Sequence, residues 1–149
     1  MPDGTTSQQD MTSRSAYAGW YQDRVRFGDL DAFGHLNNAA FATFFETGRV
    51  RLFDELGLEI DGDEWMIVIV RLAIDYRGEV DREVMLDIGL GLHRLGRSSF
   101  TLSGALFDGD RCVATAEQVI VTIGTVSRRP VPVPDELRAA LTAKLGGPA

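Results

Sequence analysis

Cysteine is almost absent from this chain of 149 residues, which carries one thiol, that of Cys112. A single cysteine excludes an internal disulfide framework and any metal site built from several cysteines. Long apolar runs are also missing, because the longest, residues 66–70, is the length of a strand and far too short to span a membrane. The polar N-terminus lacks the apolar stretch of a signal peptide. We therefore expect a cytoplasmic protein.

Positive charge is in deficit, since 15 Lys and Arg residues face 22 Asp and Glu residues and leave a net charge of −7. Such a chain repels a phosphate backbone, which argues against a general nucleic-acid binder but leaves room for a local basic patch. A hydrophobic share of 44% is ordinary for one folded domain. The composition thus predicts a globular domain whose partners are not nucleic acids.

Hydrophobic spacing predicts the secondary structure. Apolar residues three and four positions apart indicate helices, whereas alternating and β-branched residues indicate strands. Gly57 is placed to end the first helix after Leu56, and Asp108-Gly109 is a strong hairpin signal. The predicted strands cover residues 20–27, 65–76, 84–95, 98–107 and 111–125, and the predicted helices cover residues 38–56 and 135–145.

The order of these elements predicts an α+β fold, in which one long central helix is wrapped by a curved antiparallel sheet of about five strands. Short connections favour a meander. We expect a disordered arm over residues 1–18, the folded domain over residues 19–134, and a short C-terminal helix and tail over residues 135–149. The outer face of the sheet would stay exposed unless a second subunit covers it, so we expect a homo-oligomer.

The most informative stretch, residues 25–41, carries two aspartates, one histidine and two asparagines between the first strand and the long helix. It delivers the carboxylate of Asp31 beside the helix N-terminus near Asn38, where free N–H groups suit a developing oxyanion. A carboxylate that acts as nucleophile or base, together with donors that stabilise the oxyanion, is what attack on an acyl group requires at the least.

Each of these residues also has a purely structural interpretation. Asp29 is expected to bond backbone groups in the turn, and a calcium loop is rejected because Phe33 and Ala40 stand where ligands belong. His35 either orients substrate or satisfies backbone groups. Asn37 and Asn38 either cap the helix or hold the attacking water. Glu46 is either a salt-bridged acid or one that assists the reaction. The remaining alternatives concern four aromatic residues, which either line a substrate pocket or pack in the core: Phe33, Phe41, Phe44 and Phe45.

Several motifs carry a resemblance to a known family. They are Arg26-Phe27-Gly28-Asp29-Leu30-Asp31, Gly34-His35-Leu36-Asn37-Asn38 and Phe45-Glu46, with later echoes at Asp75-Tyr76-Arg77, Leu95-Gly96-Arg97-Ser98-Ser99 and Arg129-Pro130. Over roughly residues 20–134 the chain resembles the hotdog-fold thioesterases, in the branch similar to 4-hydroxybenzoyl-CoA thioesterase. The resemblance implies a hotdog domain that hydrolyses an acyl-CoA or acyl-carrier thioester, as a homodimer or a tetramer of dimers.

The resemblance also implies roles for individual residues. Asp31 aligns with the catalytic carboxylate, acting as nucleophile or general base, and the N–H near Asn38 aligns with the oxyanion donor. His35 joins them as a catalytic candidate, and no metal or cofactor is implied, since coenzyme A is part of the substrate. The candidates for contact with substrate or coenzyme A are Asn37, Phe41, Glu46, Arg94, Arg97, Arg128 and Arg129. Many relatives carry tyrosine where this chain has Phe41, which puts the acyl preference in question.

Two rival functions remain at this point. A hotdog hydratase or dehydratase would use a histidine with a carboxylate across the subunit interface, and His35 with Glu46 could imitate that pair. A non-catalytic acyl-CoA binding protein would bind without turnover. Loss of enoyl conjugation without thiol release would favour the first rival, and saturable binding without turnover would favour the second.

Overall fold

The computed structural model describes residues 9–148. Two short 3₁₀ turns, Arg14–Ala16 and Phe27–Asp29, flank the first strand. The helices and strands agree with the predicted ones to within a few residues. In chain order they are β1 (Gly19–Arg24), α1 (Asn38–Leu56), β2 (Trp65–Tyr76), β3 (Met85–Leu95), β4 (Ser99–Asp108), β5 (Arg111–Gly124) and α2 (Asp135–Leu145).

The five strands form one antiparallel sheet in the order β1-β3-β4-β5-β2. The predicted meander is therefore restricted to β3, β4 and β5. β2 pairs instead with β5 at the far edge, and the N–H groups of Arg77 and Gly78 extend this pairing by donating to the carbonyl of Val113. The end of β2 consequently lies beside the start of β5.

α1 begins and ends as the sequence predicts. The side chain of Asn37 accepts a hydrogen bond from the N–H of Ala39, and Gly57 follows the last turn in the left-handed conformation with φ 65°. α1 packs mainly on β1, β3 and β4. It buries an apolar stripe against them, formed by Phe41, Phe44, Phe45, Gly48, Leu52 and Phe53. The apolar stripe thus places the helix N-terminus at a defined point over the sheet.

The first strand is shorter than predicted. Val25 and Phe27 are not part of β1, because the chain leaves the sheet after Arg24 and turns at Phe27–Asp29, which leaves the Phe27 ring exposed. Residues 1–8 of the predicted arm lie outside the described residues. The rest of the arm contains a 3₁₀ turn, and Tyr17 is buried with its ring against Trp20 and Phe107 on the outer face of the sheet.

α2 belongs to the same core as α1, because Leu137, Leu141 and Leu145 are buried in one continuous hydrophobic cluster with the residues beneath α1. One long helix wrapped by a curved antiparallel sheet of five strands is the hotdog architecture, so the expected fold is confirmed. Neither helix is long and apolar enough to cross a membrane. The cytoplasmic location stays a prediction.

Candidate active site

The loop between β1 and α1 is held by backbone hydrogen bonds that leave little freedom in its path. The N–H of Asn37 donates to the carbonyl of Asp29 at 2.8 Å, and the N–H of Leu36 donates to the carbonyl of Val80 at 2.6 Å. The Asp29 carboxylate accepts a hydrogen bond of 2.8 Å from the N–H of Arg26. Asp29 therefore bonds backbone groups in the turn, as the sequence predicts.

Asp31 is held in a fixed orientation by its own loop. Its Oδ1 accepts hydrogen bonds from the N–H groups of Phe33 at 2.9 Å and His35 at 3.2 Å. Its own N–H donates to the carbonyl of His35 at 2.7 Å, while Gly34 takes the positive φ of 78° that this tight loop requires. Among the described residues no hydrogen bond reaches Oδ2. One carboxylate oxygen thus fixes the side chain and the other is available for chemistry.

Asp31 faces a cleft of about 340 Å³ that lies between the loop, the start of α1 and the end of β2. The structure brings four of the predicted residues to this cleft: Asp31, His35, Asn38 and Phe41. The other lining residues come from the loop, from the last residue of β2 and from the segment after it; they are Leu36, Tyr76, Gly78 and Glu79.

Asn38 lines the cleft, and its backbone N–H, the first of α1, has no partner in the described part of the chain. The Asn37 side chain caps Ala39, and the carbonyl of Asn37 accepts from Ala40, but no hydrogen bond uses the N–H of Asn38. The helix N-terminus adds its partial positive charge at the same point. This N–H can therefore donate to an oxyanion that forms beside Asp31.

Tyr76 is one of the lining residues to which the sequence assigned no role. Its hydroxyl donates to the carbonyl oxygen of Asn38 at 2.9 Å, and its ring meets the Phe41 ring edge-on at 5.0 Å. The ring stays half exposed on the cleft side. The Asp75-Tyr76-Arg77 echo was the only signal for it, because its position depends on β2 pairing with β5.

The acidic neighbour of His35 is Glu79 and not Glu46. The Nε2 of His35 lies 3.5 Å from a carboxylate oxygen of Glu79, which also lines the cleft. Glu46 is exposed on α1 two turns beyond the cleft and contributes no ion pair in the described residues. The histidine–carboxylate pair that a hydratase would draw from His35 and Glu46 is therefore not formed within this subunit.

The remaining candidates do not line the cleft. Of the four phenylalanines considered as pocket residues, Phe41 alone lines it, since Phe33 is 85% exposed on the loop and Phe44 and Phe45 are buried in the core. Arg94 and Arg97 lie near the end of β3, and Arg128 and Arg129 follow β5, at the opposite end of the sheet from Tyr76.

Comparison with known proteins identifies the family. Residues 25–141 match the family model of the thioesterase-like superfamily. The fold is similar to the crystal structure of the PA5185 protein from Pseudomonas aeruginosa, with 34% identity, a TM-score of 0.82, and coverage of 92% of this chain and 98% of that one. It is also similar to a thioesterase from Thermus thermophilus solved with coenzyme A and zinc, at 28% identity, a TM-score of 0.78, and coverage of 90% and 98%.

One relative whose name states a reaction is a 1,4-dihydroxy-2-naphthoyl-CoA hydrolase from Synechococcus elongatus. It is 28% identical to this chain over 123 residues, which cover 79% of this chain and 90% of the relative.

Proposed function

Because the chain belongs to the thioesterase-like superfamily and is a thioester hydrolase, we propose that it hydrolyses an acyl-CoA thioester with Asp31 as the catalytic carboxylate. The products are the free acid and coenzyme A. The observation that carries the proposal is that Asp31 and Asn38 line one cleft, while neither Oδ2 of Asp31 nor the N–H of Asn38 has a hydrogen-bond partner among the described residues. A nucleophile or base beside an oxyanion donor is what acyl transfer needs.

In this mechanism the thioester carbonyl lies with its oxygen toward the N–H of Asn38. Asp31 either attacks the carbonyl carbon itself or removes a proton from the water that attacks. The carbonyl oxygen becomes negative and is stabilised by the helix N-terminus. The C–S bond then breaks, and the thiolate of coenzyme A leaves. On the general-base route this step yields the free acid. On the covalent route it leaves a mixed anhydride between the acyl group and Asp31, and water hydrolyses that anhydride to release the acid and restore the carboxylate. His35 lies on the same cleft and is proposed to orient the water or the substrate, with Glu79 beside it.

Coenzyme A is proposed as the thiol carrier because one similar structure contains it and one relative is named for a CoA thioester. The arginine candidates Arg94, Arg97 and Arg129 lie at the opposite end of the sheet from the cleft of their own subunit. We propose that they contact the phosphates of coenzyme A bound at the cleft of a neighbouring subunit, within a homodimer or a tetramer of dimers. No further cofactor is proposed.

The test is thiol release from short-chain, long-chain and aromatic acyl-CoA substrates, measured for the wild type and for Asp31→Asn. We expect release by the wild type and almost none by the variant. Unchanged release by Asp31→Asn would overturn the assignment. A single turnover in isotopically labelled water tests the covalent route, because label enters the Asp31 carboxylate only when water cleaves a mixed anhydride at the carbonyl of Asp31.

A further inference from the structure

Glu79 is an exposed acid that the backbone places beside the cleft. It follows β2 in the chain, between two residues that are both held by hydrogen bonds. The N–H of Gly78 donates to a carbonyl of β5 at 3.1 Å, and the carbonyl of Val80, which is fully buried, accepts from the N–H of Leu36 at 2.6 Å. The backbone of Glu79 is therefore fixed relative to the loop that carries His35.

The carboxylate of Glu79 faces the imidazole ring of His35, and both residues line the cleft. One carboxylate oxygen lies 3.5 Å from Nε2, and within residues 9–148 neither side chain has a second polar partner. The Glu79 side chain is 76% exposed, so packing does not hold it there. An exposed ion pair contributes little to the stability of a fold. The place of this pair on the cleft of Asp31 points instead to the reaction.

The backbone of His35 is tied to Asp31 in both directions. The N–H of His35 donates to Oδ1 of Asp31 at 3.2 Å, and the carbonyl of His35 accepts from the N–H of Asp31 at 2.7 Å. These bonds fix where the two side chains leave the loop, but they do not fix the rotation of the imidazole ring. In the described part of the chain, the polar group that faces this ring is the carboxylate of Glu79.

A carboxylate beside one nitrogen of a neutral imidazole favours the proton on that nitrogen, because a carboxylate only accepts hydrogen bonds. Glu79 therefore favours the proton on Nε2 of His35 and leaves a lone pair on Nδ1. The separation of 3.5 Å is longer than that of a hydrogen bond, and contacts of this kind tighten when substrate fills an active site. With its Nε2–H directed to Glu79, the ring offers Nδ1 as an acceptor.

We propose that Glu79 is a positioning residue that acts through His35. It holds the imidazole ring so that Nδ1 accepts a hydrogen bond from the water that hydrolyses the thioester, or the mixed anhydride on the covalent route. The proposal rests on the thioesterase function proposed above and adds a residue to it. Glu79 contacts neither the substrate nor the water, so its loss should lower kcat and leave KM nearly unchanged.

The experiment is a double-mutant cycle on Glu79 and His35, with kcat and KM measured by thiol release from the acyl-CoA that the wild type hydrolyses fastest. Glu79→Ala should lower kcat by about threefold to tenfold, within the range of coupling between residues in contact. Glu79→Gln keeps an oxygen that accepts from Nε2–H and should restore most of this loss. In a His35→Ala background Glu79→Ala should have no further effect, because the ring that it positions is gone.

The matched control is Glu83→Ala. Glu83 is an exposed acid in the same connection between β2 and β3, but it does not line the cleft, so this variant should keep the wild-type kcat. The Tm of each variant checks that it is folded.

Three results would overturn the positioning role of Glu79. They are a wild-type kcat in Glu79→Ala, equal losses in Glu79→Ala and Glu79→Gln, and a Glu79→Ala effect of the same size with and without His35. A raised KM with an unchanged kcat would likewise contradict it, because that result indicates contact with the substrate. Absence of hydrolysis by the wild type with any acyl-CoA would instead contradict the proposed function.

Discussion

The hydroxyl of Tyr76 donates to the carbonyl oxygen of Asn38 at 2.9 Å, which ties the last residue of β2 to the first residue of α1. The ring of the same tyrosine rests edge-on against Phe41. The hydrogen bond and the ring contact hold the N-terminus of α1 against the edge strand at the point where Asp31 faces the cleft. A hydroxyl therefore reaches the cleft from β2, although position 41 of α1 carries phenylalanine.

We predict that Tyr76→Phe lowers kcat by about two- to tenfold with little change in KM. The loss of one neutral hydrogen bond corresponds to roughly 0.5–1.5 kcal/mol, and looser placement of the helix N-terminus weakens an interaction used mainly in the transition state. Steady-state thiol release measures both constants. The control is Tyr21→Phe, which removes a 2.7 Å hydrogen bond to Glu55 elsewhere on α1 and should lower the Tm without lowering kcat. A wild-type kcat in Tyr76→Phe would refute the positioning role.

Asp31→Asn should lower kcat by roughly 10²–10⁴, the range that a general acid or base contributes. The asparagine keeps an Oδ1 acceptor for the N–H groups of Phe33 and His35, so the loop should hold and the Tm should change little. Asp29→Asn is the matched control, because the asparagine oxygen can still accept from Arg26 and Asp29 has no proposed chemical role. If both variants lost activity equally, the loop and not the Asp31 carboxylate would be responsible.

The stability of the α1–β1 contact should depend on pH through Glu55. The hydrogen bond from the Tyr21 hydroxyl, and secondarily the Lys144 ammonium, lower the pKa of Glu55 from its usual 4.5. A carboxyl whose pKa is lower in the folded state stabilises the fold above its unfolded pKa, and this contribution is lost as the pH falls through the folded pKa. The Tm difference between wild type and Tyr21→Phe should therefore be full near pH 6 and shrink below about pH 4.5.

Tyr76→Phe provides the reference for that pH series. The Tyr76 hydroxyl donates to a backbone carbonyl, which does not titrate, so its Tm difference from the wild type should stay constant over the same range. A Tyr21→Phe difference that also stayed constant down to low pH would contradict the assigned role of Glu55.

Gly57→Ala should destabilise the protein by about 1 kcal/mol, because alanine is strained at a positive φ. A Cβ at this position meets no atom within 4 Å, so the cost is one of backbone conformation and not of packing. Gly28→Ala is the control, since its Cβ also meets nothing within 4 Å and its φ is not positive. Urea unfolding should show a lower midpoint for Gly57→Ala alone, and equal midpoints would contradict the helix-ending role of Gly57.

The sequence by itself determined where the helices and strands lie and much of the conformation of the loop between β1 and α1. Helical spacing and the cap signals at Asn37 and Gly57 located α1, and alternation located the strands, because these patterns reflect interactions between residues close in the chain. The Asp31 to Asn38 segment was recognisable for the same reason, since its turn and helix cap are local.

Only the tertiary structure decided which strand lies beside which. The pairing of β2 with β5 sets Tyr76 against Asn38 and Leu72 opposite Gln118, although more than 35 residues separate the members of each pair in the chain. Arg49 looked like one more helix residue until the fold buried it on the amide of Gln118. Local periodicity carries no information about partners so distant, because their contact depends on how the whole core packs around α1.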